Sequence, residues 1–298
     1  MPNFNKILSV RIIFTVFILA LTACSSGPER RTNNGAGPFS ANARNEVARK
    51  SPEGLVRIGE GFERSGNLVN ALNLYEQALA NDPNLLTAKL AKGRILSQTS
   101  KRSEGISLLT TLVMEYPDLS VAKTTLAQAY AFGQEFEEAY AVIKPTAESG
   151  EATLPILALA GSLAQVLELD EKARVFYDKA LQVDPKDSGT INNLAISFAL
   201  SGEYESAIAL LQPLLNNPRI KNIATKTLAN IYALSGQLDA ASVIIRSLVD
   251  PKEAKQQEGY FTLLDGISKR EQAILLLFNV IPESVLKRIN DASVKSSS

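Results

Sequence analysis

Cys24 is the single thiol of this chain, and no histidine or tryptophan accompanies it. Without imidazole, Ser-His and Cys-His nucleophile pairs and histidine metal ligation are excluded. The remaining ionisable candidates are Glu137-Glu138, Asp170-Glu171, Asp178-Lys179 and Glu203-Tyr204-Glu205. The first two lie beside expected turns, where a carboxylate complements the start of a helix dipole and stays in water; the others read the same way. The glycines follow no strand and form no phosphate-binding loop. No catalytic residue, metal site, cofactor or small-molecule substrate is therefore expected. Charge narrows partners further. Basic and acidic residues number 31 each, and two of the basic ones, Lys6 and Arg11, lie in the amino-terminal leader. The remainder is slightly acidic and lacks the basic footprint that nucleic-acid binding needs.

The elements that would position any binding residue show in a 34-residue period, with units starting at Pro52, Leu86, Ser120, Leu154, Ser188 and Asn222. Offset 8 is small throughout: Gly59, Gly93, Ala127, Gly161, Ala195, Ala229. So is offset 20, with Ala71, Gly105, Ala139, Ala173, Ala207 and Ala241, while offset 24 is bulky, with Tyr75, Leu109, Ile143, Tyr177, Leu211 and Ile245. Two helices meeting at the small positions can bring their backbones close, with large residues filling the flanks. Offset 11 (Phe62, Leu96, Tyr130, Ala164, Phe198, Tyr232) is expected between neighbouring helices. Pro83, Pro117 and Pro185 end one pair and start the next, since proline lacks a donor and disfavours helix before it. Ser65-Gly66-Asn67, Phe132-Gly133, Ser201-Gly202 and Ser235-Gly236 supply turns inside pairs. The third unit carries Glu151 where proline recurs, and the last two shift it to Pro218 and Pro251.

This pattern resembles the tetratricopeptide repeat over residues 52–255. The resemblance implies an all-α solenoid of about six helix-turn-helix units, an architecture that binds other chains. In that family the first helix of each unit lines the concave face through offsets 2, 5, 6, 9, 12 and 13. It implies a partner-binding groove that includes Gln128, Phe132, Leu159, Ser162, Gln165, Asn192, Asn193, Ile196, Lys226 and Asn230, with Thr227 among them. Asparagine there can pair with donors and acceptors of an extended peptide, and Lys226 can hold a carboxylate. Lys226 and Asn230 match the first pair of the chaperone-tail clamp. They fall in the last complete unit, however, and recognition of a chaperone tail is not implied.

Beyond the array, Glu253 to Leu264 is expected to form a solvating helix over the last repeat. The apolar stretch from Ala273 to Phe278 is too short to span a bilayer; it reads as a packing helix, with docking on a partner as the alternative. Asp291 to Ser298 reads as a frayed tail.

At the other end, Lys6 and Arg11 precede an apolar core from Ile12 to Leu21, the layout of a secretory leader. Leu21-Thr22-Ala23-Cys24 resembles the bacterial lipobox, which implies lipidation of Cys24 as the first mature residue. One acyl chain anchors only marginally, and the three implied here anchor stably. Acylation also removes an unpaired thiol from an oxidising compartment. Ser25, rather than aspartate, implies delivery to the periplasmic face of the outer membrane. Residues 1–23 are thus expected to be a lipoprotein signal peptide and 24–51 a flexible tether, with six repeats over 52–255 and capping helices and tail over 256–298.

A narrower resemblance lies in Ile191-Asn192-Asn193-Leu194-Ala195-Ile196-Ser197-Phe198-Ala199-Leu200-Ser201-Gly202 and in Ala207-Ile208-Ala209-Leu210-Leu211-Gln212-Pro213-Leu214. With Leu228-Ala229-Asn230-Ile231-Tyr232-Ala233-Leu234-Ser235-Gly236, these resemble the TadD lipoproteins of tight-adherence (Flp) pilus systems. Family members often carry Gln-Asn where this chain has Lys226-Thr227. The resemblance implies a scaffold that helps the pilus secretin, or another pilus subunit, to localise or assemble. Alternatives are a general outer-membrane biogenesis lipoprotein of the β-barrel assembly type, a type IV pilotin and a periplasmic hydrolase adaptor.

Overall fold

Helix pairs follow one another along the chain at the expected spacing in a computed structural model that describes residues 51–288. The leader, Cys24, the tether up to residue 50 and the tail from Asp291 lie outside the described residues. Two compact units divide the chain, with the boundary after Ile143. The first holds α1 (Pro52–Arg64), α2 (Leu68–Asn81), α3 (Leu86–Ser97), α4 (Arg102–Glu115) and α5 (Ser120–Phe132). The boundary falls within α6 (Phe136–Glu148). The second unit holds α7 (Leu154–Val166), α8 (Asp170–Val183), α9 (Ser188–Leu200), α10 (Tyr204–Leu215), α11 (Lys221–Leu234) and α12 (Leu238–Arg246). It then adds α13 (Pro251–Asp265) and α14 (Lys269–Phe278), followed by a helical stretch over 283–288. The architecture is all-α, as expected, and no strand occurs among the described residues.

Side-chain size at three offsets sets the packing within a pair. A Cβ placed on Gly93 would lie 2.7 Å from Leu109, and one on Gly161 would lie 2.6 Å from the Tyr177 ring. Offset 8 is small because the offset-24 side chain of the partner helix lies directly over it. Offset 20 meets backbone instead: a Cβ on Gly105 would press on the carbonyl of Gly93 and the main chain at Leu96 and Ser97. Ala71, Ala139, Ala173, Ala207 and Ala241 hold the equivalent place with no exposed surface. Burying such side chains contributes about 25 cal/mol per Å² of apolar area removed from water. Offset 11 varies more. Leu96 and Ala164 are buried, Phe198 and Tyr232 are half-buried, and Phe62 is exposed in the first unit.

Turns within five of the six pairs use a left-handed residue at offset 15, supplied by glycine at Gly66, Gly202 and Gly236, where φ is 78–79°. In the third repeat this differs from the sequence reading. Gly133, with φ −85°, stays out of that region, and Gln134 takes φ 61° in its place; Glu168 does the same in the fourth repeat with φ 58°. Gly133 is needed for space instead, because the Arg102 guanidinium lies against it.

Four of the turns that follow a helix pair are built on an acid or amide before proline. Asp82, Asp184, Asn217 and Asp250 each accept, through the side-chain oxygen, the backbone N–H two residues on, at 2.9–3.1 Å. The carboxylate or amide thereby mimics a backbone turn. This explains why shifting the proline to Pro218 and Pro251 leaves the turn intact. It also shortens the sixth pair: α12 has 9 residues, against 12 to 14 in the second helices before it, and α13 starts at Pro251.

The expected solvating helix is α13. It packs on α11 and α12 and buries Ala254, Phe261 and Leu264 in a cluster with Ala229, Ala233, Ala241 and Ile245. The apolar stretch that follows packs within the chain. Helix α14 lies on α7 and α9, the first helices of the fourth and fifth repeats.

Candidate partner-binding face

The first helices α5, α7, α9 and α11 carry every residue expected in the groove, and their local chemistry decides which of them reach solvent. In the first unit, Gln128 is exposed and Phe132 is 42% exposed on α5. Thr124 and Thr125 beside them are buried and return their hydroxyl hydrogens to the carbonyls of Ser120 and Val121. These two threonines offer no free donor.

In the second unit the structure brings Ser162, Gln165 and Asn193 together and buries all three. Ser162 Oγ accepts from Tyr177 OH at 3.1 Å and from Asn193 Nδ2 at 3.3 Å, and donates to the Ala158 carbonyl at 3.1 Å. Gln165 Oε1 accepts from the Ser197 hydroxyl, and its Nε2 donates to Asp170 Oδ1 at 2.7 Å. Leu159 and Ile196 are buried as well. Thr227 donates to Asn192 Oδ1 at 2.6 Å, linking α11 to α9. The amides read as partners for an extended peptide thus join consecutive repeats to one another. A buried polar group must find a partner, and here the next repeat provides it. Burial also raises the pKa of the Tyr177 hydroxyl, although its bond to Ser162 lowers it.

Lys226, expected to offer its charge to a partner's carboxylate, pairs within the chain with Glu253 on α13, at 3.2 Å. It remains exposed, while Asn192 and Asn230 are half-buried. Further charged pairs bridge successive repeats: Arg94 meets Glu63 through two bonds of 2.7 and 2.8 Å, and Arg102 meets Glu135 at 2.9–3.0 Å. Arg174 pairs with Glu203 and stacks over Phe198, 4.5 Å from the ring centroid. Glu203, read as a solvated helix terminus, is one of these bridging groups.

Sequence reasoning missed two residues of this face. Asp170 was expected only to complement a helix start. It does begin α8, but its carboxylate also takes Gln165 on one oxygen and Lys269 on the other, at 2.5 Å. Lys269 is 99 positions away, and no local pattern marks it. Among the described residues, no group of histidine, cysteine and carboxylate side chains is arranged to hold a metal ion, and no helix is long and apolar enough to cross a membrane.

A tetratricopeptide repeat family model matches residues 55–87. A tetratricopeptide repeat protein from Parabacteroides merdae ATCC 43184 superposes with a TM-score of 0.58 at 20% identity, over 80% of this chain and 97% of that one. The fold is that of the tetratricopeptide repeat. A thermophilic tetratricopeptide repeat protein of Thermus thermophilus also matches, with a TM-score of 0.40 at 20% identity, over 72% of this chain and all of that one. No curated protein matches the sequence. Stacked repeats of this architecture present extended surfaces, and here the first helices carry the residues just described.

Proposed function

We propose that this chain is a non-catalytic, lipid-anchored scaffold on the periplasmic face of the outer membrane. It holds a component of the tight-adherence (Flp) pilus machine, foremost its secretin, and assists localisation or assembly. The observation that carries the scaffold reading is the succession of helix pairs from α1 to α12, in which, within each unit, charged and polar side chains bridge neighbouring repeats. Helix pairs fixed to one another in this way offer a preformed surface, and preorganisation spares a binder much of the entropy cost of association.

Support for the location comes from Leu21-Thr22-Ala23-Cys24 and from Ser25 after it, and support for the pilus from the TadD-like stretches over 191–202 and 228–236. A lipid at Cys24 would confine the array to the membrane surface and raise its effective concentration beside a membrane-embedded partner. The exposed candidates, Gln128 and Phe132 in the first unit and Lys226 in the second, are the ones a partner of each unit would reach first. Replacing Cys24 with Ala tests the whole reading. The variant is expected to accumulate as a soluble periplasmic form and to reduce surface pili. Normal piliation by that soluble form would overturn it.

A further inference from the structure

Helix α14 lies outside the 34-residue period, yet it packs where the repeats expose the first helices of a groove, against α7 and α9. Its apolar side chains Ala273, Ile274, Leu275 and Leu277 are buried, with 7% exposure at most. It is a helix complete in itself. Ser268 and Glu271 form a reciprocal capping box at its start, and Asn279 ends it in the left-handed region at φ 53°. Gly266, Ile267 and Ser268 link it in sequence to α13, to which it is also tied by Gln272 Nε2, which donates to the Leu264 carbonyl at 2.8 Å.

An ion pair joins it to the repeats, Lys269 on Asp170, and both side chains keep about a third of their surface exposed (32% and 31%). The floor beneath does not depend on it for hydrogen bonds. Ser162, Gln165, Asn193 and Ser197 are bonded to one another and to Tyr177, and Asp170 keeps Gln165 when Lys269 leaves. Removing α14 therefore uncovers apolar surface without stranding these polar groups, which is the condition under which one amphipathic helix can replace another.

We propose that the α7–α9 face of the fourth and fifth repeats is a receptor for an amphipathic helix, and that α14 is its resident, displaceable occupant. The resident shows what the face accepts: a cation at the first turn, placed for Asp170, followed by an apolar stripe spaced like Ala273, Ile274 and Leu277. The partner segment is a helix of that chemistry in another protein. This deepens the scaffold reading and rests on it only in requiring that a partner protein exist.

Because a receptor that is mostly self-occupied binds a competitor with an affinity reduced by its free fraction, opening the latch should strengthen binding in trans. The probe is a fluorescent synthetic peptide of residues 266–281, titrated by anisotropy against the full mature chain in detergent. The Lys269→Glu protein repels its own helix from Asp170 while leaving the face intact for the peptide's lysine, and is expected to bind about tenfold more tightly than wild type. Asp170→Lys also frees α14 but removes the recognition group, and no such gain is expected. Hydrogen exchange over 269–278 should quicken in Lys269→Glu and slow again when peptide is added, with helicity by circular dichroism unchanged.

Equal peptide affinity in Lys269→Glu and wild type would overturn the proposal. So would exchange over 269–278 that is as slow as in α7 and α9 and indifferent to Lys269→Glu. A concentration-dependent dimer that the peptide dissolves would make a second copy's α14 the occupant and overturn the assignment to another protein. None of these results bears on piliation, so the Cys24→Ala experiment remains an independent test of the pilus reading.

Discussion

Ser197 donates its hydroxyl hydrogen to Oε1 of Gln165 at 2.5 Å, joining α9 to α7 across a repeat boundary in a site where both residues have no exposed surface. Gln165 also donates to Asp170, so one amide satisfies two neighbours. Replacing it with Leu would leave the Ser197 hydroxyl and an Asp170 oxygen without that partner. An unsatisfied buried polar group costs roughly 1–3 kcal/mol. Gln165→Leu is therefore expected to lose stability in that range by urea denaturation, and Ser197→Ala about 1 kcal/mol. The double variant should cost less than the sum, because each change removes the other's partner. Strictly additive losses would show that the two side chains are not coupled.

A second expectation concerns the fit between offsets 8 and 24. Glycine at offset 8 faces Tyr75, Leu109 and Tyr177, whereas alanine at offset 8 accompanies Ile143, Leu211 and Ile245 in the other repeats. Gly161→Ala pushes a methyl into the Tyr177 ring, and overpacking of a close-packed interior costs typically about 1–3 kcal/mol. In a Tyr177→Leu background, which reproduces the Ala195–Leu211 pairing, the same Gly161→Ala change should cost at least about 1 kcal/mol less. Chemical denaturation of the four proteins of this cycle gives the coupling. An identical cost in both backgrounds would mean that the ring does not set the size of residue 161.

The period made the fold legible because each offset answers to one steric requirement, repeated from Gly59 and Tyr75 through Ala229 and Ile245. What it left open has physical reasons. Left-handed geometry at Gln134 and Glu168 is hidden because neither is glycine, and the adjacent Gly133 drew attention to the wrong residue. A polar residue on a first helix looks the same in sequence whether it meets a partner or the next repeat, so Ser162, Gln165 and Asn193 read as groove residues although they bond within the array. Asp170 read as a helix-start charge alone because Lys269 approaches from 99 residues away. The stretch from Ala273 to Phe278 was recognisable as a helix, but only the structure identifies α7 and α9 as its seat.

The end of the chain should respond to acid through Glu271. Burial raises the pKa of this carboxyl. Hydrogen bonds from the Ser284 hydroxyl, the Ser268 backbone and side chain, and Arg288 outweigh that and hold it down at about 2, from an ordinary value of 4.5. Arg288 reaches it at 2.7 Å and the Ser268 N–H at 2.8 Å. A depressed carboxyl pKa stabilises the folded form fully above the unfolded value, and that contribution disappears as pH falls toward the folded one. Hydrogen exchange over 268–288, compared between wild type and Glu271→Gln at matched pH, should therefore show clear extra protection in wild type at about pH 6, above the unfolded value. The difference should shrink between about pH 4.5 and pH 2. A difference that is unchanged across this window would mean that the Glu271 charge does not hold the start of α14 and the helical stretch over 283–288 together.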